Sequence, residues 1–186
     1  VLRDDATRDV GALLDWIGAR GDLDPSRVMV TGASFGGYLT LTSFVAYNDR
    51  IRCAFAGFPI SNLVTDLERT DPTRRENRRK EYGDERDPRV RAVLERVAPV
   101  TNAARIRRPL FLAHGANDSR VPLSESEQMS EAVVATMARK DDPREWSLVQ
   151  GVSERLVMKA IALGGTATGE HGVGLGKRKY MSAQHG

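Results

Sequence analysis

The sequence of 186 residues has few of the features that stabilise a chain by means other than its own apolar core. It has one cysteine, Cys53, so no disulfide can form within the chain and a zinc site built on paired cysteines is excluded. No apolar run approaches the roughly 18 to 20 residues that cross a membrane, and the N-terminus shows no basic segment followed by an apolar core. We therefore expect a cytoplasmic protein with no membrane partner.

The chain also lacks an excess of either charge and has few aromatic residues. There are 28 Lys and Arg against 25 Asp and Glu, a formal charge of +3, and aromatic residues make up 6%. Proteins that bind nucleic acid need cations for the phosphates and rings that stack on bases, so we expect no nucleic-acid partner. The 40% of apolar and 28% of charged residues are typical of a globular chain.

Short apolar runs alternate with helical patterns along the first two thirds of the sequence. The patterns predict helices over about 5–19, 38–47, 90–97 and 126–137, and strands at 28–30, 53–58 and 109–113. This alternation favours an α/β fold with a parallel sheet and flanking helices, in which the carboxyl ends of the strands carry the site. The first strand is expected to be buried, and the charged stretch 66–91 is expected to be a solvated face.

One motif carries chemistry. Residues 32–37 read Gly-Ala-Ser-Phe-Gly-Gly, which places Ser34 in a G-x-S-x-G pattern between a predicted strand and a predicted helix. Such a sharp turn exposes the serine hydroxyl above the sheet, and the Phe35 N–H then lies at a helix N-terminus, where it can donate to an oxyanion. The alternative is a glycine-rich phosphate loop, although a Walker loop would need Gly-Lys-Ser or Gly-Lys-Thr, which is absent.

Three segments together resemble the catalytic domain of the prolyl oligopeptidase family of serine peptidases, which has an α/β-hydrolase fold. They are 24–27, Asp-Pro-Ser-Arg; 32–38, the serine motif with the following tyrosine; and 109–122, which includes His-Gly-Ala-Asn-Asp-Ser-Arg-Val-Pro. The resemblance implies a truncated α/β-hydrolase domain over 1–134, with Ser34 as nucleophile and Asp118 as triad acid. It also implies that His114 supports the end of a strand.

A triad needs an imidazole, and the chain has only His114, His171 and His185. His185 lies at the terminus. His171, in a Gly-Glu-His-Gly loop, keeps the order Ser, Asp, His that is typical of α/β-hydrolases, so we predict it to be the general base.

A second resemblance covers residues 135–186, which we interpret as a separate segment fused to the first. Residues 154–180 are similar to the C-terminal end of flavin-linked oxidases of the D-lactate dehydrogenase and glycolate oxidase type. In those enzymes a Glu-His pair, here Glu170 and His171, lies near the flavin and in some members near a metal. Two ligands are too few for a tight metal site, so we expect no metal and no cofactor.

The first resemblance also implies features that precede Val1: the first strands, the propeller and the loop with the second oxyanion donor. Loss of one such donor costs about 2.7–4 kcal/mol, so we expect modest activity.

The strand at 28–31 would have an unpaired edge, which predicts a homodimer or higher homo-oligomer. The expected function is that of a serine hydrolase for short-chain or activated esters, or for peptides. The alternatives are an inactive oligomerising module and a flavin oxidase remnant.

Overall fold

The computed structural model describes residues 3–133 and five helical positions further along the chain, 151, 154, 155, 158 and 162. Of these, 3–114 and 120–133 form one compact unit, whereas 115–119 and the five isolated positions belong to a second. Most of the segment 135–186, including Glu170 and His171, therefore lies outside the described residues.

Three parallel strands form the sheet of the first unit, in the order β1 (Met29–Ala33), β2 (Cys53–Gly57) and β3 (Leu110–Ala113). Met29 pairs with Cys53 and Ala54 pairs with Leu110, so all three strands end at the same edge. The predicted α/β fold and its three strands are confirmed. One expectation is wrong: no residue of β1 is buried, and β1 is one of the two outer strands of the sheet among the described residues.

Six helices accompany these strands within residues 3–133. They are α1 (Arg3–Gly18), α2 (Phe35–Ala46), α3 (Leu63–Arg69), α4 (Pro72–Tyr82), α5 (Pro88–Val97) and α6 (Ser124–Ala132). Short 3-10 turns lie at Pro25–Arg27 and Ala103–Arg105.

Asp-Pro pairs mark where several of these elements begin. Asp71 caps α4 by accepting a hydrogen bond from the Thr73 N–H, and Asp87 caps α5 by accepting one from the Arg89 N–H. Proline follows each aspartate at the first helical position, where its missing N–H costs nothing and its fixed φ suits the helix. The sequence therefore sets the N-terminal ends of these helices locally.

Two apolar clusters lie within the first unit. One gathers side chains of α1, α2, the strands and α6, among them Leu14, Leu41, Phe44, Ala54, Leu110 and Met129. The other gathers side chains from α2 through α5 and the segment before α6, among them Tyr38, Leu63, Leu67, Tyr82, Leu94 and Val121. The second cluster packs against Phe35, the residue after the candidate nucleophile.

Candidate active site

Ser34 is the single residue between the end of β1 and the start of α2. Its backbone has φ 56° and ψ −123°, a conformation that few residues other than glycine adopt. Such a conformation costs on the order of 1–3 kcal/mol and persists only where neighbouring structure enforces it. Here the Ser34 N–H donates to the Gly57 carbonyl oxygen at 3.0 Å, and the Ser34 carbonyl oxygen accepts from the Tyr38 N–H at 3.1 Å. The predicted strand-to-helix turn at Ser34 is confirmed.

The glycines around Ser34 differ in what their surroundings allow. A Cβ on Gly32 would collide with the Gly36 carbonyl oxygen and lie 2.9 Å from Thr40 Oγ1. A Cβ on Gly37 would lie 2.8 Å from the Cα of Pro59. A Cβ on Gly36 would meet nothing within 4 Å. Close packing therefore requires glycine at positions 32 and 37, whereas the space beside Gly36 is open.

Phe35 is the first residue of α2, so its N–H belongs to the helix turn whose amides carry a partial positive charge. Its ring stacks on Tyr38 at 5.4 Å and on Tyr82 at 5.6 Å between centroids. Aromatic contacts from α2 and α4 thus fix the residue whose amide is the candidate oxyanion donor. The amide is a suitable donor for charge that develops on a carbonyl oxygen.

Asp118, the candidate acid, is half-buried in the loop that follows β3, and its N–H donates to the Gly115 carbonyl oxygen at 3.1 Å. Ser34 belongs to the first unit and Asp118 to the second. The candidate base, His171, lies outside the described residues. The assignment of these three residues to one triad therefore stays a prediction.

His114, directly after β3, uses both ring nitrogens inside the fold. Nδ1 lies 2.7 Å from Ser126 Oγ, and Nε2 lies 3.0 Å from the Val121 carbonyl oxygen. Because a carbonyl oxygen can only accept, Nε2 carries a proton, and in the neutral ring Nδ1 then accepts from the Ser126 hydroxyl. This geometry agrees with the expectation that His114 supports the strand end. The hydrogen bond to Val121 also joins the residues on either side of the loop that carries Asp118.

Sequence reasoning missed two buried carboxylates on the helices around this site. Asp66 and Glu125 are completely buried, although Asp66 lies at the start of the stretch that the charge pattern predicts to be a solvated face. Glu85, in the same stretch, is also buried. The prediction of a solvated face is therefore wrong for Asp66 and Glu85. The available signal was helical spacing: Asp66 follows Leu63 by three residues, and Glu125 precedes Met129 by four.

Each buried acid is held by specific donors. Asp66 Oδ2 accepts from Arg78 Nη1 at 2.7 Å. Burial raises the pKa of Asp66 to about 7, more than the Arg78 charge lowers it. Glu125 Oε2 accepts from the Ser61 N–H at 3.0 Å and the Asn62 N–H at 2.9 Å, which ties α6 to the start of α3.

In the described part of the chain, no group of three His, Cys, Asp or Glu side chains is arranged to hold a metal ion. No helix in that part is both long and apolar enough to cross a membrane.

A parallel sheet whose edge strand leads through a strained serine into a helix is typical of the α/β-hydrolase fold. Comparison with known proteins agrees and is more specific. The family model "Prolyl oligopeptidase family" matches residues 2–151, so the chain belongs to that family.

Individual relatives support this membership. The dipeptidyl aminopeptidase BIII of Pseudoxanthomonas mexicana is 34% identical over 125 residues, which are 66% of this chain and 18% of that protein. A puromycin-hydrolyzing peptidase of Mycobacterium tuberculosis has a solved structure that superposes with a TM-score of 0.63 at 27% identity, covering 70% of this chain and 20% of that one. The chain thus spans about a fifth of the length of these relatives.

The C-terminal part matches a different family. The model "FAD linked oxidases, C-terminal domain" covers residues 130–186. The probable mitochondrial D-lactate dehydrogenase of Danio rerio is 48% identical over 48 residues, which are 24% of this chain and 10% of that protein. Both resemblances drawn from the sequence are therefore confirmed, and the two matched regions overlap over residues 130–151.

Proposed function

We propose that the chain is a serine hydrolase in which Ser34 attacks the carbonyl carbon of an ester or peptide. The observation that carries the proposal is the backbone of Ser34, a non-glycine residue at φ 56° between a strand and a helix. Strain of this kind is retained where it positions a reacting group. Membership of a serine peptidase family supports the same role.

In the proposed mechanism, His171 accepts the proton of the Ser34 hydroxyl and returns it to the leaving group. Asp118 orients the imidazole, and the Phe35 N–H donates to the oxyanion of the tetrahedral intermediate. The chain order Ser34, Asp118, His171 supports these roles, as does the place of Phe35 at the start of α2. No cofactor takes part.

Short-chain or activated esters are the proposed substrates. An activated ester has a good leaving group, so its cleavage depends mainly on the nucleophile and the oxyanion donor and little on contacts along a peptide. The open space beside Gly36 supports access of a small acyl group to the turn. Two of the relatives are named for peptidase activity, and this makes peptides the second substrate class to test.

Labelling with a fluorophosphonate tests the proposal, since the probe reacts quickly only with an activated serine. We expect the full chain to be labelled and to hydrolyse p-nitrophenyl acetate. The Ser34→Ala variant should show neither labelling nor hydrolysis. Ser26→Ala, which changes an exposed serine in the first 3-10 turn, is the matched control and should keep both. A wild-type chain that is folded but neither labels nor hydrolyses would favour the inactive module. Flavin absorbance in the purified protein would favour the oxidase remnant.

The proposal includes a homo-oligomer, most simply a dimer. β1 has no neighbour on its outer side among the described residues, and the Met29 side chain on it is 50% exposed. An unpaired strand edge is a surface that a second chain can cover. Light scattering at micromolar concentration should give at least twice the chain mass of 20.5 kDa. Met29→Lys should lower that mass, and a wild-type monomer would contradict the dimer.

A further inference from the structure

The Arg78 side chain, on α4, joins three parts of the fold around the candidate site. Its Nη1 donates to Asp66 Oδ2 at 2.7 Å, and its Nη2 donates to the Arg120 carbonyl oxygen at 3.0 Å. Its Cζ lies 5.9 Å from the centre of the Tyr82 ring, which stacks on Phe35. One guanidinium therefore contacts α3, the segment after the Asp118 loop, and the aromatic stack beside Ser34.

The bond to Arg120 fixes a particular point of the chain. Arg120 comes two residues after Asp118, where the polypeptide returns to the first unit. The next carbonyl oxygen, that of Val121, is bound by His114 Nε2 at 3.0 Å. Two consecutive carbonyl groups at the end of the loop are thus held by two side chains, one on α4 and one directly after β3.

Asp66 orients Arg78 from inside the protein. Its side chain is fully buried and that of Arg78 is 13% exposed, so water competes little for their hydrogen bond. A guanidinium presents donors in a fixed fork and can bind the carboxylate and the carbonyl oxygen together, which an ammonium group cannot do in the same geometry. The buried side chain of Asp66 therefore orients the Arg78 guanidinium.

We propose that Arg78, oriented by Asp66, is a positioning residue that fixes the end of the loop carrying Asp118 and the aromatic ring packed on Phe35. The catalytic meaning of this assignment rests on the proposed hydrolase function. The structural part does not, because the order of the loop can be measured without substrate. The positioning role predicts local effects on residues 115–123 that a general loss of stability would not produce.

Arg79 provides the matched control. It is the next residue of α4, its side chain is also 13% exposed, and its guanidinium binds Glu76 and Glu85. Arg79→Met therefore removes an equally buried, ion-paired arginine whose bonds stay near the end of its own helix. Arg78→Met removes the bonds to Asp66 and Arg120. Arg78→Lys keeps the charge beside Asp66 and loses the fork.

Hydrogen–deuterium exchange of the full chain compares these variants. In Arg78→Met, we expect the amides of residues 115–123 to exchange at least 5-fold faster than in the wild type, and in Arg79→Met less than 2-fold faster. With p-nitrophenyl acetate, kcat should fall at least 10-fold in Arg78→Met with little change in KM, and Arg78→Lys should recover part of the loss. Arg79→Met should keep kcat within 2-fold.

Equal exchange of residues 115–123 in the Arg78→Met and Arg79→Met variants would overturn the proposal. If Arg78→Met does not fold, Arg78→Lys and Arg79→Lys are compared in the same way. A wild-type chain without labelling or turnover would refute the proposed function, while the exchange comparison would still decide whether Arg78 holds the loop.

Discussion

The backbone N–H of Ser34 donates to the carbonyl oxygen of Gly57, with 3.0 Å between the two atoms. Since Ala33 pairs with Gly57 in the parallel register, this bond extends the ladder between β1 and β2 by one residue into the turn. The strained serine is therefore fixed to the sheet as well as to the helix that it begins. This arrangement supports the proposed role of Ser34 as nucleophile, because a side chain held from both sides loses little freedom when it reacts.

The close packing of Gly32 gives a first prediction. Gly32→Ala would place a methyl group against the Gly36 carbonyl oxygen and near Thr40 Oγ1, where a 2.9 Å hydrogen bond joins these two residues. We expect the free energy of unfolding to fall by about 1–3 kcal/mol, as is usual when a well-packed site is overfilled. Urea unfolding followed by circular dichroism measures this change.

Gly36→Ala is the control for that substitution, since its new methyl group would meet open space within α2. We expect no loss of stability, or a gain of about 0.5–1 kcal/mol from the better helix propensity of alanine. Similar losses in the two variants would contradict the packing explanation.

The buried Glu125 carboxylate gives a second prediction. Glu125 Oε2 accepts from the N–H groups of Ser61 and Asn62, and Oε1 accepts from the Thr65 hydroxyl. Glu125→Gln replaces one of these two oxygen atoms with an NH2 group. We expect a loss of about 1–3 kcal/mol because one buried donor is left without an acceptor. Glu127→Gln changes an exposed carboxylate on the same helix and should alter stability by less than about 0.5 kcal/mol.

The sequence predicts features that depend on neighbouring residues better than features that depend on tertiary contacts. It predicts a helix over 5–19, and α1 spans Arg3–Gly18, because an apolar stripe at helical spacing is a local signal. It fails for the burial of β1, because exposure of an edge strand depends on which strands lie beside it in space. It also fails for Asp66 and Glu85, since a pattern of mixed charge does not show which few residues turn inwards.

In the candidate site, too, the sequence predicts the local feature and not the tertiary contacts. The turn at Ser34 follows from neighbouring residues alone, and the structure has it where the motif predicts it. The role of Arg78 depends on contacts with Asp66, 12 residues away, and with Arg120, 42 residues away, which no local pattern indicates. The grouping of Asp118 and His171 with Ser34 is equally a matter of tertiary structure and stays a prediction.

The raised pKa of Asp66 gives a third prediction, for stability against pH. Between its ordinary value of 3.8 and about 7, folded Asp66 keeps a proton that the unfolded chain has lost. Stability therefore falls as pH rises through this range and becomes level above it. The difference in unfolding free energy between the wild type and Asp66→Asn should decrease from pH 4 to pH 7 by up to roughly 4 kcal/mol.

Urea unfolding of both proteins at intervals of half a pH unit measures that difference. The comparison removes the other titrating groups, because both proteins share them. A difference that rises with pH would mean that the Arg78 charge dominates burial at Asp66.

The role of His171 gives a fourth prediction. His171→Ala should lower kcat for p-nitrophenyl acetate by at least about 100-fold, since a general base contributes roughly 10²- to 10⁴-fold. His185→Ala removes the other C-terminal histidine and should leave kcat unchanged. Ester turnover that survives His171→Ala would remove this residue from the mechanism and direct attention to another proton acceptor.

The outer side of β1 has a practical consequence for anyone who handles the protein. No strand pairs with that side among the described residues, so its peptide groups form a template on which extended chains from solution can assemble. We therefore expect concentrated samples of the monomer, in which no second chain covers this edge, to form fibrils or to precipitate during storage. A lysine or proline gatekeeper placed on this strand would be the first change to make before crystallisation trials.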